Sequence, residues 1–167
     1  MIFEPIFAEL TRHHVPFVVV GGVALVLQGH PRLTVDLDLV IDLDATHVDR
    51  AVEALTALGL RPRLPIDPRG LGDPDTRRAW TDERALRVVS FHDPDHPLRE
   101  VDVFADPPIE YAELRSRADL VELGEVTVPV ASLDDLIDMK RSTGRPQDLA
   151  DVESLKRLRD RRREGPA

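Results

Sequence analysis

Three aspartates stand in segments whose composition is typical of β-strands. Asp36 and Asp38 alternate with apolar residues over 36–41, and Asp102 lies between two valines over 100–104. Residues at i and i+2 of a strand point to the same face, about 6.6 Å apart along the chain. Three carboxylates on one face repel one another unless a cation compensates them, and a set of oxygen ligands suits Mg²⁺. The pattern therefore predicts a magnesium site formed by two neighbouring strands.

An acidic strand face also has a simpler interpretation, a half-exposed edge strand whose carboxylates are solvated. Aspartate is a poor strand former, however, and the same alternation recurs around Glu100 and Asp102, which favours the metal site. Either of these two can supply the third carboxylate, and Asp102 is the better candidate because it lies deeper in its apolar run. Asp42 and Asp44 are interpreted as turn or helix-cap residues at the end of a strand.

A glycine pair, Gly21-Gly22, separates the apolar run 17–20 from residues 23–28, whose composition is helical. A strand, a glycine turn and a helix start leave backbone N–H groups that can bind an anion such as a phosphate. Two glycines after a strand more often form a tight turn, so this element alone favours a phosphate site only weakly.

Apolar periodicity, caps and breakers place these residues in an α/β fold, and the length of 167 residues suits one domain spanning 1–167. The proline- and glycine-rich stretch 61–76 is predicted to be a loop. Helices are predicted over 3–13, 23–28, 46–58, 132–142 and 147–161, and strands over 17–20, 36–41, 86–91, 100–104, 120–123 and 126–130.

Composition restricts the classes of function. The net charge of -9 argues against broad electrostatic adhesion to nucleic acid. The chain has no cysteine, which excludes a disulfide scaffold and a thiolate metal site and suits a reducing cytoplasm. No apolar run has the length of about 18 residues that a membrane span needs, and the first residues lack the basic start of a signal peptide. We therefore expect a cytoplasmic protein without a membrane partner.

The order of these motifs resembles the nucleotidyltransferase fold of the polymerase-β-like superfamily. More narrowly, it is similar to the small bacterial proteins related to AbiEii-type toxins and minimal nucleotidyltransferases. The resemblance covers residues 17–44, the strand with Asp102, and 132–151, where a helix with a lysine precedes a Gly-Arg-Pro turn and an acidic helix. The motif residues are Gly21, Gly22, Arg32, Thr34, Asp36, Asp38, Asp102, Lys140, Gly144, Arg145 and Pro146.

The resemblance implies a small mixed sheet flanked by helices, with a C-terminal helical segment of about 132–162 completing the cleft. It also implies a role for each motif residue. Gly21 and Gly22 would contact a nucleoside triphosphate, Asp36 and Asp38 would hold two Mg²⁺ ions, and Asp102 would be a metal ligand or the base for the incoming hydroxyl. Lys140 would neutralise phosphate charge, Arg32 and Thr34 would lie on the nucleotide side, and Asp148 and Asp151 would orient Lys140 or cap the last helix.

The implied reaction is transfer of a nucleoside monophosphate from an NTP to a hydroxyl of a tRNA or other RNA, a protein or a small molecule. The alternative is a non-catalytic nucleotide-binding or partner-binding module of a toxin–antitoxin-like system, with a cognate antitoxin as partner. Gly22 favours this alternative, because many active relatives carry serine there. Lys140 can also be interpreted as a solvated residue near a helix C-terminus. The basic segment 156–163 can be interpreted as a solvated helix end or as an RNA contact.

Overall fold

The computed structural model describes residues 2–143 and 146–164 and places seven strands in one mixed sheet. The order across the sheet is β3-β4-β5-β2-β1-β7-β6. Strand β2 is antiparallel to β1 and parallel to β5, and β1 is parallel to β7. The strands are β1 (Phe17–Val20), β2 (Asp36–Ile41), β3 (Arg61–Pro62), β4 (Val88–His92), β5 (Glu100–Phe104), β6 (Asp119–Leu123) and β7 (Val126–Val130). The predicted α/β class with a small mixed sheet is confirmed.

Seven helices accompany the sheet in the described part of the chain. They are α1 (Glu4–Arg12), α2 (Gly21–Leu27), α3 (Ala45–Ala57), α4 (Pro74–Arg84), α5 (Tyr111–Arg117), α6 (Leu133–Thr143) and α7 (Pro146–Glu164). Side-chain caps fix two of their starts as the sequence predicts. Asp44 Oδ1 accepts a hydrogen bond from Thr46 N at 2.9 Å, and Ser132 Oγ accepts one from Asp135 N at 3.1 Å.

The prediction of a loop over 61–76 is wrong in part. This stretch contains β3, a 3₁₀ turn over Pro68–Gly72 and the first turn of α4. Pro74 occupies the first turn of α4 and the Asp73 carboxylate caps it through Thr76 N at 3.0 Å, so the proline starts a helix here. Because Trp80 is the only buried residue of α4, the helix lacks the apolar periodicity that would predict it. The predicted break at residues 144 and 145 lies outside the described residues.

Alternation along β2 and β5 gives the centre of the sheet one apolar face and one polar face. Leu37, Leu39, Val101 and Val103 are 0–1% exposed and belong to the hydrophobic core. The residues between them point to the opposite face, since successive strand residues alternate. The core beneath the sheet therefore fixes which carboxylates share the polar face.

Among the described residues, no helix combines the length and the apolar character that crossing a bilayer requires. The single-domain organisation over 1–167 stays a prediction.

Candidate active site

Asp38 and Asp102 form the centre of the polar face. They are register partners on the parallel strands β2 and β5, so their carboxylates lie side by side. Ser90 of β4 is the next residue in the same row, opposite Asp102. Asp102 Oδ1 is buried and has no hydrogen-bond partner among the described residues. The row therefore brings together two like charges and one unsatisfied oxygen.

The surroundings of both carboxyl groups favour their uncharged forms. Burial raises the pKa of Asp38 to about 7, and the negative charges of Asp102 and Asp36 add to this effect. The Gly22 backbone N–H and the positive charge of Lys140 oppose it. Burial also raises the pKa of Asp102, against the hydrogen bond of the Ser90 hydroxyl. Because both shifts point the same way, the pair would gain from a cation placed between the carboxylates.

Asp36 lies one step along β2 from this pair and belongs to a second row. Its register partner is Glu100, and the side chain of Asp36 is exposed. Its charge acts on both Asp38 and Asp102, which places all three predicted carboxylates in one electrostatic cluster. Their convergence around shared metal ions stays a prediction.

The glycine pair packs directly against the carboxylates and the preceding loop. Gly21 has a φ of +64°, and a Cβ there would lie 2.0 Å from Asp38 Oδ2. A Cβ on Gly22 would lie 2.5 Å from Thr34 Oγ1. Both contacts are shorter than real side chains permit, so the close approach of β1, β2 and the 28–35 loop requires glycine at both positions.

Lys140 is held in an ion-pair cluster between α6 and α7. Its Nζ lies 2.9 Å from Asp148 Oδ1 and 2.8 Å from Asp151 Oδ2, and its side chain is only 13% exposed. Asp151 also pairs with Arg32 from the loop before β2. The interpretation of Lys140 as a solvated helix-end residue is therefore wrong, while the prediction that Asp148 and Asp151 orient it agrees with these contacts.

A cleft of about 630 Å³ unites most of the predicted residues. Gly21, Gly22, Asp38, Asp102, Lys140 and Asp148 line it. Residues of α6 lie opposite the sheet face, so the C-terminal helices do complete this cleft. Arg32, Thr34 and Asp36 do not line it; Arg32 forms an ion pair with Asp151, and Thr34 packs against Gly22.

Comparison of the sequence with protein-family profiles assigns the chain to a family. The sequence profile described as "Nucleotidyl transferase AbiEii toxin, Type IV TA system" matches residues 7–163. The chain belongs to this family. It is a nucleotidyltransferase-type transferase enzyme.

Solved structures of other nucleotidyltransferases have the same fold as this AbiEii-family chain. One is TM1012 of Thermotoga maritima, which is assigned to the nucleotidyltransferases. It is 16% identical to this chain with a TM-score of 0.58, and the match covers 96% of this chain and 92% of the TM1012 chain. The antibiotic-resistance factor ANT(2″)-Ia, solved in complex with adenylyl-2″-tobramycin, is 16% identical with a TM-score of 0.58, covering 95% and 93%. A solution structure of ANT(2″)-Ia is 18% identical with a TM-score of 0.55, covering 93% and 79%. No curated protein matches the AbiEii-family chain.

The residues at the centre of the cleft fit a divalent cation in part. The unsatisfied Asp102 Oδ1 and the burial of Asp38 are features that a bound cation would compensate. No group of three or more acidic or histidine side chains in residues 2–143 and 146–164 is arranged to hold an ion. Two carboxylates are therefore in position, and the exposed Asp36 would have to turn toward them.

Sequence reasoning missed several polar residues around this centre. Arg87 and Asp106 line the cleft and form an ion pair at 3.3 Å. Arg63 donates to both carboxylate oxygens of Glu100, at 3.0 and 2.7 Å. Arg63 lies in the predicted loop 61–76 and Arg87 in the predicted strand 86–91, and nothing in the sequence pattern connects either with its partner.

Proposed function

We propose that this AbiEii-family chain is a Mg²⁺-dependent enzyme that transfers a nucleoside monophosphate from an NTP to a hydroxyl of an acceptor. The observation that carries this proposal is the Asp38–Asp102 pair inside the cleft, where burial raises both pKa values and Asp102 Oδ1 is unsatisfied. Two partly buried carboxylates beside the glycine pair, one of them with an unsatisfied oxygen, suit an enzyme that binds a cation together with a polyphosphate.

Asp36, Asp38 and Asp102 would hold the Mg²⁺ ions. Bound Mg²⁺ would supply neutralisation of the carboxylates and of the phosphate charge that develops during transfer. Asp102 Oδ1, which has no partner among the described residues, is the atom we assign to accept the proton of the incoming hydroxyl.

The remaining residues would bind and orient the nucleotide. Gly21 and Gly22 line the cleft at the start of α2, where a phosphate would meet backbone N–H groups. Lys140 faces the same cleft and would contact a phosphate oxygen as a point charge. Asp148 and Asp151 would keep its ammonium group in place while the nucleotide enters, and Arg32 would keep Asp151 in place.

We further propose that the activity is that of a toxin with a cognate antitoxin. The support is the description of the family, which names a toxin of a type IV toxin–antitoxin system. RNA, protein and small-molecule hydroxyls all remain candidates for the acceptor. The polar cleft and the family membership favour this enzyme over the non-catalytic alternative.

The test is incubation of the purified protein with each labelled NTP, Mg²⁺ and bulk RNA or cell lysate. Transfer of label into an acceptor is expected for the wild type and its loss for Asp38→Asn and Asp102→Asn. Asp75→Asn is the matched control, because it removes the same charge from an 87% exposed side chain on α4. Label transfer that survives in Asp38→Asn would contradict the proposed site.

A further inference from the structure

The polar face of the sheet continues beyond the proposed active site as a second row of side chains. At the level of Asp36 and Glu100, the register runs on to His92 of β4 and Arg61 of β3. Val89 and Phe91 of β4 are buried, so His92 and Ser90 point to the same face as Glu100 and Asp102. None of the four residues of this row lines the cleft. The row lies next to the Asp38–Asp102 pair on the same face of the sheet.

The chemistry of this second row suits an uncharged polar group. Both oxygens of Glu100 are engaged by Arg63, so this carboxylate carries a compensated charge and keeps lone pairs for further donors. His92 Nδ1 is buried and has no hydrogen-bond partner among the described residues. A hydroxyl both donates and accepts, and it can therefore satisfy a carboxylate and an imidazole nitrogen at once. The exposed carboxylate of Asp36 would repel a phosphate at the same place.

The position of the row relative to Asp102 indicates which substrate would reach it. The strand order puts β1, which leads into the glycine pair, on one side of β5 and puts β4 on the other. In an in-line displacement the attacking and leaving oxygens lie on opposite sides of the phosphorus. A leaving group held near the glycine turn therefore requires the acceptor to approach from the β4 side.

His92 is a diagonal neighbour of Asp102 across the antiparallel β4–β5 pair. Such neighbours lie about 7–8 Å apart at their Cα atoms, within reach of long and aromatic side chains. One acceptor molecule can thus present its reacting hydroxyl to Asp102 and a nearby hydroxyl to His92.

We propose that His92 and the Glu100–Arg63 pair form an acceptor subsite that binds a hydroxyl next to the reacting one, as in the vicinal diol of a sugar. This inference rests on the proposed function, because it assumes that Asp102 faces the attacking hydroxyl. The subsite selects acceptors by that second hydroxyl, and His92 is a specificity-determining residue.

The full chain, in the presence of Mg²⁺ and a non-hydrolysable NTP analogue, is titrated with methyl β-D-ribofuranoside. A second titration uses the 2-deoxy counterpart of this sugar. The readout is the imidazole NMR signal of His92, assigned by its absence in His92→Gln. His96, whose side chain is 63% exposed and bound to Asp93, provides the matched control signal. The ribofuranoside is expected to move the His92 signal saturably, the deoxy compound much less, and neither to move the His96 signal.

Three results would overturn the subsite. They are an unmoved His92 signal, equal movement of this signal with both sugars, or movement of this signal with the cation ethylammonium but not with the ribofuranoside. A separate arm measures the thermal shift of wild type and His92→Ala with Mg²⁺ and NTP, which we expect to be equal. Loss of that shift in both proteins, with the sugar response intact, would reject the proposed nucleotide reaction and leave the diol subsite standing.

Discussion

At the scale of single residues, the unusual feature of this protein is a pair of carboxyl groups that the fold holds in an unfavourable place. Asp38 and Asp102 are brought together on adjacent strands, partly buried and short of donors. Residues of this kind cluster at functional sites, because binding a cation or a proton relieves the same interactions that destabilise the free protein.

The metal-free protein should lose stability as the pH rises. The pKa of Asp38 is about 7 in the folded state against 3.8 as its ordinary value. A raised folded-state pKa contributes stability that is complete below pH 3.8 and is lost as the pH passes through about 7. We expect Asp38→Asn to reduce this loss between pH 5 and pH 8 by about 2–3 kcal/mol, since about two pH units of this range lie below the folded pKa and each corresponds to about 1.4 kcal/mol.

Urea unfolding in a chelator at both pH values measures the effect, with Asp75→Asn as the exposed control. Equal pH dependence in wild type and Asp38→Asn would show that Asp38 does not carry this linkage.

Gly22 and Thr34 form a complementary pair. Thr34 Oγ1 occupies the space that a Cβ at position 22 would need. We expect Gly22→Ser to destabilise the protein by about 1–3 kcal/mol through overpacking. Thr34→Gly removes the Oγ1 and Cβ atoms that a Cβ at position 22 would contact. In the background of that variant, Gly22→Ser should lower the free energy of unfolding much less.

Urea unfolding of the wild type, both single variants and the double variant gives the coupling between the two sites. Additive effects would mean that Thr34 does not take the place of a side chain at position 22.

At the scale of secondary-structure elements, charged contacts join the C-terminal helices to the site. Arg32 from the loop before β2, Lys140 of α6 and Asp151 of α7 make one cluster, and its side chains are 13–26% exposed. Ion pairs this well shielded differ from surface pairs, because removing one partner leaves the others desolvated without compensation. The cluster therefore fixes both the loop that precedes β2 and the lysine that faces the cleft.

Asp151→Ala should lower the free energy of unfolding by about 1–3 kcal/mol, since Arg32 and Lys140 both lose a carboxylate. Glu153→Ala is the control on the same helix; its carboxylate is 64% exposed and pairs only with Lys156 at i,i+3 in the described structure. That substitution should change stability by no more than about 0.5 kcal/mol. Urea unfolding measures both variants. Similar losses of unfolding free energy would mean that the cluster stabilises the protein no more than a surface ion pair does.

At the scale of the whole molecule, the basic end of α7 is tied to the body of the protein. Arg162 donates to Gln28 Oε1 at 2.6 Å and to its backbone oxygen at 2.7 Å, and Gln28 is only 1% exposed. Gln28 in turn donates to Asp119 and to the Ala131 carbonyl oxygen. This buried amide joins α2, β6, α7 and the segment after β7, which holds the last helix beside the cleft.

Arg162→Ala should therefore destabilise the protein by about 1–3 kcal/mol, because a buried acceptor loses its donor. Arg161→Ala is the neighbouring control, since its guanidinium makes no hydrogen bond or ion pair with the described residues. Thermal unfolding of both variants measures the difference. If both melt alike, the Gln28 contact contributes nothing to stability.

The sequence by itself determined the elements whose apolar pattern is strong. The resemblance of the motif order to a family, rather than any local pattern, placed Gly21, Gly22, Asp38 and Lys140 in the cleft. Strands β2 and β5 and the capped helices α3 and α6 follow from alternation and caps, which depend on side-chain chemistry within a few residues and which sequence periodicity reports directly.

Only the tertiary structure decided which distant groups meet. Register across β2, β5 and β4 put Asp38 beside Asp102 and His92 beside Glu100, and burial raised the two aspartate pKa values. Packing of α7 makes Lys140, a candidate solvated residue in the sequence, a shielded member of an ion-pair cluster. Helix α4 also became visible only in the structure, because its single buried residue gives no periodic pattern. Register, burial and long-range pairing depend on contacts between residues far apart in the chain, and no local pattern contains them.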